Sequence, residues 1–175
     1  MTLIIDSRRL IGAYHDGRAV AYAVTGGRVV WRRNLLANPG FETSDAWTLS
    51  SQTSRVQSNG VLLPHSGAWF IHSTEANTWA VWQMVRIPEA GTYELSAWFA
   101  SGAIDRSHML AVDTLDGRPL ASQTWPQASA ILTWEKRTLT VTIPTPMTVT
   151  VKLGGNWPRI DDASMTQASR GYDWT

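Results

Sequence analysis

From residue 68 onward, apolar and polar side chains alternate with a period of two. The runs are Ala68 to Ser73, Ala80 to Ile87, Thr92 to Ala100, Met109 to Leu115, Trp134 to Ile143 and Met147 to Leu153. Period two marks strands with one face on a core and the other toward solvent. Turn-forming clusters separate the runs: Pro88-Glu89-Ala90-Gly91, Asp116-Gly117-Arg118-Pro119, Pro144-Thr145-Pro146 and Gly154-Gly155-Asn156. No stretch holds a helical spacing over three turns without β-branched clusters or breakers. The pattern predicts an all-β, antiparallel β-sandwich, with a jelly roll as the favoured version. In Thr92 to Ala100, Tyr93, Leu95, Ala97 and Phe99 share the predicted core face, which leaves Trp98 on the other face with Glu94 and Ser96. Between 79 and 86 one face carries Trp79, Val81, Gln83 and Val85 and the other Ala80, Trp82, Met84 and Arg86, so at most one of the two tryptophans belongs to the core.

The first 33 residues read differently. Leu3 to Ile5, Ala19 to Val24 and Arg28 to Trp31 are short β-like runs punctuated by Asp16-Gly17 and Gly26-Gly27, which predicts a small hairpin meander. Asn38-Pro39-Gly40 then breaks the pattern, and the boundary falls near Arg33. Residues 1–33 are expected to form a β-rich extension, 34–168 the jelly roll, and 169–175 a tail or small contact segment.

Composition narrows the function. With 175 residues the chain can bury a core without metal or disulfide staples, and it has no cysteine. Fifteen basic against fourteen acidic residues give a net charge of +1, no reason to expect nucleic acid or an anionic membrane as partner. No apolar run approaches the ~20 residues of a bilayer span, and the N-terminus lacks the charged and apolar regions of a secretory signal. Ten tryptophans exceed what a core of this size needs, so some are expected to face a ligand or partner.

The segment Asn38-Pro39-Gly40-Phe41-Glu42 resembles the opening strand of the jelly-roll carbohydrate-binding modules attached to xylanases and glucanases. The resemblance continues in order through Trp47, His65-Ser66-Gly67 with Trp69, Gln83 and Val85, Gly91-Thr92-Tyr93 with Leu95-Ser96, Thr133-Trp134, and Ile160-Asp161-Asp162-Ala163-Ser164-Met165. It covers residues 34–168 and implies a non-catalytic, galactose-binding-like fold. It also implies a structural calcium between the first and last strands, with Glu42, Asp161 and Asp162 at the ligand positions; hard oxygen donors suit that ion. The alternative is that the aspartates serve turn hydrogen bonds or pair with Arg159. Trp47, Trp69 and Trp134 match positions that pack into the core.

A sugar site needs indole faces for pyranose C–H groups, interleaved with hydrogen-bonding side chains. The candidate ligand-binding residues are Trp79, Trp82, Trp98, Trp125 and Trp157, with His72, Gln83 and Arg86. For Trp125 and Trp157, in turn-rich stretches beside Pro126 and Pro158, packing against an edge or a neighbouring subunit is the alternative. No nucleophile elbow, zinc-protease motif or phosphate loop occurs, and the histidines at 15, 65, 72 and 108 show no metal-ligand spacing. Asp113, Asp116 and Glu135 could serve a glycosidase only if two of them faced one bond; solvated strand ends and turns are the commoner role for such carboxylates. No catalytic residue is assigned.

Residues Gly17-Arg18-Ala19-Val20 through Gly26-Gly27-Arg28-Val29-Val30-Trp31 resemble short N-terminal segments of phage tail and other virion proteins. The alternative is an ordinary hairpin that extends the sandwich. The resemblance implies a virion component, a minor tail or capsid decoration protein assembled in the host cytoplasm. It would present a glycan-binding jelly roll to cell-surface polysaccharide, dock through edge strands of the extension, and form a homo-oligomer. Two other readings remain: a structural decoration protein without sugar binding, and a cellular polysaccharide-binding accessory protein.

Overall fold

The computed structural model describes residues 33–58 and 60–168. Within 2–32 it describes the backbone of five strands, β1 (Thr2–Asp6), β2 (Arg9–His15), β3 (Arg18–Ala19), β4 (Tyr22–Thr25) and β5 (Arg28–Arg32). The first three pair antiparallel in one ladder and β4 with β5 in another. Arg9–His15 is a strand that the period-two reading passed over. The turns at Asp16-Gly17 and Gly26-Gly27, the side chains of the extension and the 169–175 tail lie outside the described residues.

Ten further strands build the sandwich. They are β6 (Thr48–Leu49), β7 (Thr53–Val56), β8 (Phe70–Ser73), β9 (Thr78–Ile87), β10 (Gly91–Ala100), β11 (His108–Thr114), β12 (Pro119–Trp125), β13 (Glu135–Ile143), β14 (Met147–Gly155) and β15 (Arg159–Gln167). One sheet runs β13-β10-β15-β8-β7 and the other β12-β11-β14-β9-β6, with neighbouring strands in both sheets antiparallel. The chain repeatedly crosses from one sheet to the other, as the predicted jelly roll requires.

The core is the set of inward positions of both sheets. Tyr93, Leu95, Ala97 and Phe99 of β10 meet Val81, Val85 and Ile87 of β9 and Val149, Val151 and Leu153 of β14, all buried. Such alternation is what holds register, because a one-residue slip would turn the whole apolar set outward. Residues 34–47 close one edge. Leu35 N–H donates to Met165 O at 2.8 Å and Ala163 N–H to Pro39 O at 2.8 Å, while Leu36, Phe41 and Trp47 enter the core. Trp47 is thus the core residue the sequence predicts, its indole N–H donating to Asn38 O at 2.9 Å. Trp69 and Trp134 are only partly buried: Trp69 lies under the Arg55 guanidinium at 3.9 Å, and Trp134 meets Phe70 edge-on at 5.8 Å.

Candidate functional site

Position on β9 decides which tryptophans can meet a ligand. From Trp82 to Ile87 alternation is regular, with Val85 and Ile87 inward and Trp82, Met84 and Arg86 outward. Opposite Leu153 and Gly154 the register shifts, so Val81 pairs with Leu153 and Trp79 with Gly154. Ala80 and Val81 are then both buried, and Trp79 joins Trp82 on the outward side. A bulge thereby puts on one face two residues that strict alternation assigns to opposite faces. Gly154 is required there: a Cβ on it would lie 2.2 Å from Thr78 O and 2.8 Å from Trp79 Cα.

The two indoles line an open groove of about 550 Å³ with Ser50, Ser51, Glu75, Thr78, Thr150 and Lys152. Lys152 is in register with Trp82, its ammonium 4.9 Å from the centre of the Trp79 ring and ion-paired with Asp113 of the neighbouring strand. Glu75 accepts the Ser50 hydroxyl at 2.5 Å and the Ser51 hydroxyl at 3.2 Å. Apolar ring faces and hydrogen-bonding groups of both charges therefore share one shallow surface. Trp79 and Trp82 span at most roughly 10 Å along the strand at its rise per residue.

The other candidates are spread more widely. Arg86 is exposed on the same face of β9, further along the strand and paired with Thr148. Gln83 is 6 % exposed and clamps the backbone of Ala37, accepting from its N–H and donating to its carbonyl, each at 3.1 Å. It is a structural residue and not part of the groove. Trp98 and His72 lie on the opposite sheet. Trp98 is stacked by His65 at 4.0 Å, so its ring face is already occupied. Trp125 ends β12, packs against the core and has the Arg137 guanidinium 5.5 Å from its ring centre. Trp157 has a positive φ of 53°, is 47 % exposed at a loop tip, and stacks with Arg106 at 4.5 Å. Arg106 also donates to Asn156 at 3.0 Å.

Glu42, Asp161 and Asp162 gather around the 65–69 loop. Glu42 Oε1 accepts the Ala68 N–H at 3.0 Å. Asp162 meets His65 Nδ1 at 2.6 Å and accepts the Ser66 hydroxyl at 2.8 Å. Asp161 is buried and accepts backbone N–H groups of His65, Ser66 and Asp162. Gly40 lies between two of the carboxylates: the nearest atoms to a Cβ there would be Asp162 Oδ1 at 3.5 Å, with Glu42 Oε1 at 3.9 Å. Burial, reinforced by the Asp162 charge, pushes the Asp161 carboxyl up to about 7. Among the described residues no three acidic or histidine side chains already converge as a metal-binding group. The turn hydrogen bonds that the sequence offered as the alternative are present; a pairing of these aspartates with Arg159 is not.

One constellation escaped the sequence reading. His108 Nε2 lies 2.8 Å from Ser101 Oγ, and its Nδ1 3.2 Å from Glu135 Oε1, the order of a hydroxyl, an imidazole and a carboxylate in a nucleophilic triad. Ser101 and His108 have no exposed surface, and His108 is stacked on Phe99 at 4.8 Å. No substrate reaches this hydroxyl in the observed arrangement. Burial pushes the imidazole down to about 4, against the raising effect of Glu135. Glu135 is held in turn by Arg137 at 2.9 Å and by the Ser129 N–H.

No family model and no curated protein sequence matches the chain. Solved structures do. The module TmCBM61 in complex with β-1,4-galactotriose is 24 % identical, with a TM-score of 0.58, over 78 % of this chain and 99 % of that one. A carbohydrate-binding module from Cellvibrio mixtus lichenase 5A, in complex with cellotriose, is 15 % identical, with a TM-score of 0.51, over 74 % of this chain and 95 % of that one. The enzymatically active domain of tailspike protein 4 from bacteriophage CBA120 is 13 % identical, with a TM-score of 0.52, over 77 % of this chain but only 21 % of that one. At these identities the likeness establishes the fold: the sandwich is a jelly roll of the kind found in carbohydrate-binding modules.

Proposed function

We propose that the chain is a non-catalytic carbohydrate-binding module and that its site is the groove bearing Trp79 and Trp82. The observation that carries this reading is the bulge at Trp79 and Ala80, which brings two partly exposed indoles to one face beside Lys152, Glu75, Ser50 and Ser51. Stacking on the rings supplies most of the attraction and the polar rim selects hydroxyl orientation. The first ligands to test are β-1,4-galactotriose and cellotriose, by isothermal titration of the full chain. Saturable binding supports the reading. A folded protein that binds neither these nor a wider set of neutral cell-surface glycans would refute it.

We place this module on a virion, as a tail or capsid decoration protein docked through residues 1–33. The reading rests on the sequence resemblance of residues 17–31; the jelly roll shared with a tailspike domain agrees with it. A structural decoration protein is the second reading, in which exposed aromatics such as Trp157, 47 % exposed at a loop tip, serve protein contacts. Recovery of the chain on purified particles, with or without glycan binding, separates the two.

We further propose that calcium binds where Glu42 and Asp162 flank Gly40, with Asp161 buried beside them. The donors are hard oxygens, and a buried carboxyl raised to about 7 beside a second carboxylate gains from a nearby cation. A divalent ion at a hundred times its dissociation constant stabilises by about 2.7 kcal/mol, which for a chain of this size raises Tm by roughly 5–10 °C. Thermal melts with calcium and with chelator should differ by that order, and Asp161→Asn should remove the difference. Equal melting temperatures at millimolar calcium would contradict the assignment.

A further inference from the structure

Arg159 opens β15 on the sheet opposite the groove. Its neighbours in register are Ala100 of β10 and His72 of β8, and His72 is in register with Ser54 of β7. The adjacent pairs, Phe99 with Ile160 and Ile160 with Ile71, are buried in the core. Arg159, His72 and Ser54 therefore share the outward face. The guanidinium reaches over Gly102, where a Cβ would lie 3.5 Å from Nη1 and 3.7 Å from Nη2; the lack of a side chain at 102 leaves it room.

Among the described residues this arginine has no counter-charge. Its Nε is buried without a hydrogen-bond partner, and no ion pair forms to it among the described residues. The described carboxylates nearest in the chain and across the sheet have other partners: Asp161 the backbone of residues 65 and 66, Asp162 His65 and Ser66, Asp105 the Arg106 guanidinium at 4.0 Å, and Glu135 Arg137. His72 adds a hydrogen-bonding imidazole beside it, its pKa lowered by burial and by the arginine's positive charge. A half-buried guanidinium is ordinarily paired, and its planar fork of donors suits a carboxylate or another oxyanion bound in two-point fashion.

We propose that Arg159, with His72 and Ser54 beside it, forms a second binding site, for the carboxylate of an acidic sugar such as a uronic acid residue. The choice of sugar rests on the carbohydrate-binding reading above; an inorganic oxyanion could offer the same charge from another source. The groove of Trp79 and Trp82 lies on the other sheet, so the two sites are separable by mutation.

The test is isothermal titration of the full chain with trigalacturonate, neutral β-1,4-galactotriose, inorganic phosphate and sulfate, repeated on Arg159→Met. The expected result is saturable trigalacturonate binding that falls at least tenfold in Arg159→Met, with neutral-sugar binding unchanged and phosphate and sulfate much weaker. If trigalacturonate binds in this way while galactotriose does not, the acidic-sugar site stands and the neutral groove falls. Equal binding of phosphate or sulfate overturns the sugar assignment, and absence of any anion binding, or binding that survives Arg159→Met, overturns the site. Melting temperature gives an independent check. An arginine without a partner should leave Arg159→Met as stable as the parent or more so, whereas a fall of several degrees would reveal a structural role and overturn the proposal.

Discussion

Trp82→Ala is expected to weaken binding of a neutral oligosaccharide by roughly 30-fold or more, corresponding to about 2 kcal/mol for an aromatic at the centre of a contact surface. Trp79→Ala should act similarly, and the double variant should abolish measurable binding. Neither change opens the core, because both rings lie outside the inward set of Val81, Val85 and Ile87. The melting temperature of each variant should therefore stay close to that of the parent. Trp98→Ala provides the contrast. That ring lies on the opposite sheet with His65 stacked on it at 4.0 Å, so its loss should lower stability and leave neutral-sugar affinity unchanged. Titration calorimetry and thermal melts on these four variants distinguish a groove site from one distributed over the molecule's exposed tryptophans.

Acidification should destabilise the fold through His108. The imidazole is fully buried and pushed down to about 4, chiefly by burial, whereas in the unfolded chain it returns to about 6.5. Between those values the unfolded state carries the extra proton, so this contribution is whole above pH 6.5 and is lost as pH falls toward 4. The loss attributable to this one group is about 2 kcal/mol at pH 5 and approaches roughly 3 kcal/mol at lower pH. Glu135 and Arg137 face Nδ1 from β13, and Ser101 faces Nε2. His72, also lowered by burial, acts with the same sign. Asp161 acts with the opposite sign, because its carboxyl is raised to about 7 and its contribution is lost as pH rises. Comparison with His108→Gln isolates the histidine: the urea-unfolding free energies of the two proteins should converge as pH falls from 7 to 4.5. Parallel profiles would show that His108 accepts its proton in the folded protein as readily as in the unfolded chain.

The legibility of this fold tracked the contrast between the two faces of each strand. Strands β9, β13 and β14 bury one face and leave the other at least partly exposed, and their alternation marks them to within a few residues at each end; β10 and β11 are covered on most of both faces, and the turn residues that flank them help to bound them. Edge strand β12, Pro119–Trp125, is largely exposed apart from Leu120, Ala121 and Trp125, so no alternation marks it. Strand β15 does not stand out by alternation, because Asp161 and Asp162 interrupt its apolar pattern at a positive-φ residue, Asp162; only the family resemblance places these residues on the last strand. The groove was half legible. Trp79 and Trp82 both stand out in the sequence as candidates, but the bulge that unites them depends on Gly154 lying against Thr78 across the sheet, a contact that a period-two pattern does not carry. Gln83 reads as a candidate by sequence, and its hydrogen bonds to the Ala37 backbone, 46 residues away, leave no mark in the local pattern. The Ser101–His108–Glu135 network was invisible for a similar reason: β10, β11 and β13 bring together residues whose spacing matches no motif.

The most direct test of the central claim is a ¹H–¹⁵N spectrum of the tryptophan indoles, ten in all, recorded while β-1,4-galactotriose or cellotriose is added. The account predicts that the indole signals of Trp79 and Trp82 move together and saturate at one ligand concentration, while those of Trp47, Trp69, Trp98 and Trp134 stay in place. Saturable shifts confined to Trp157 or Trp125, with Trp79 and Trp82 unmoved, would contradict it.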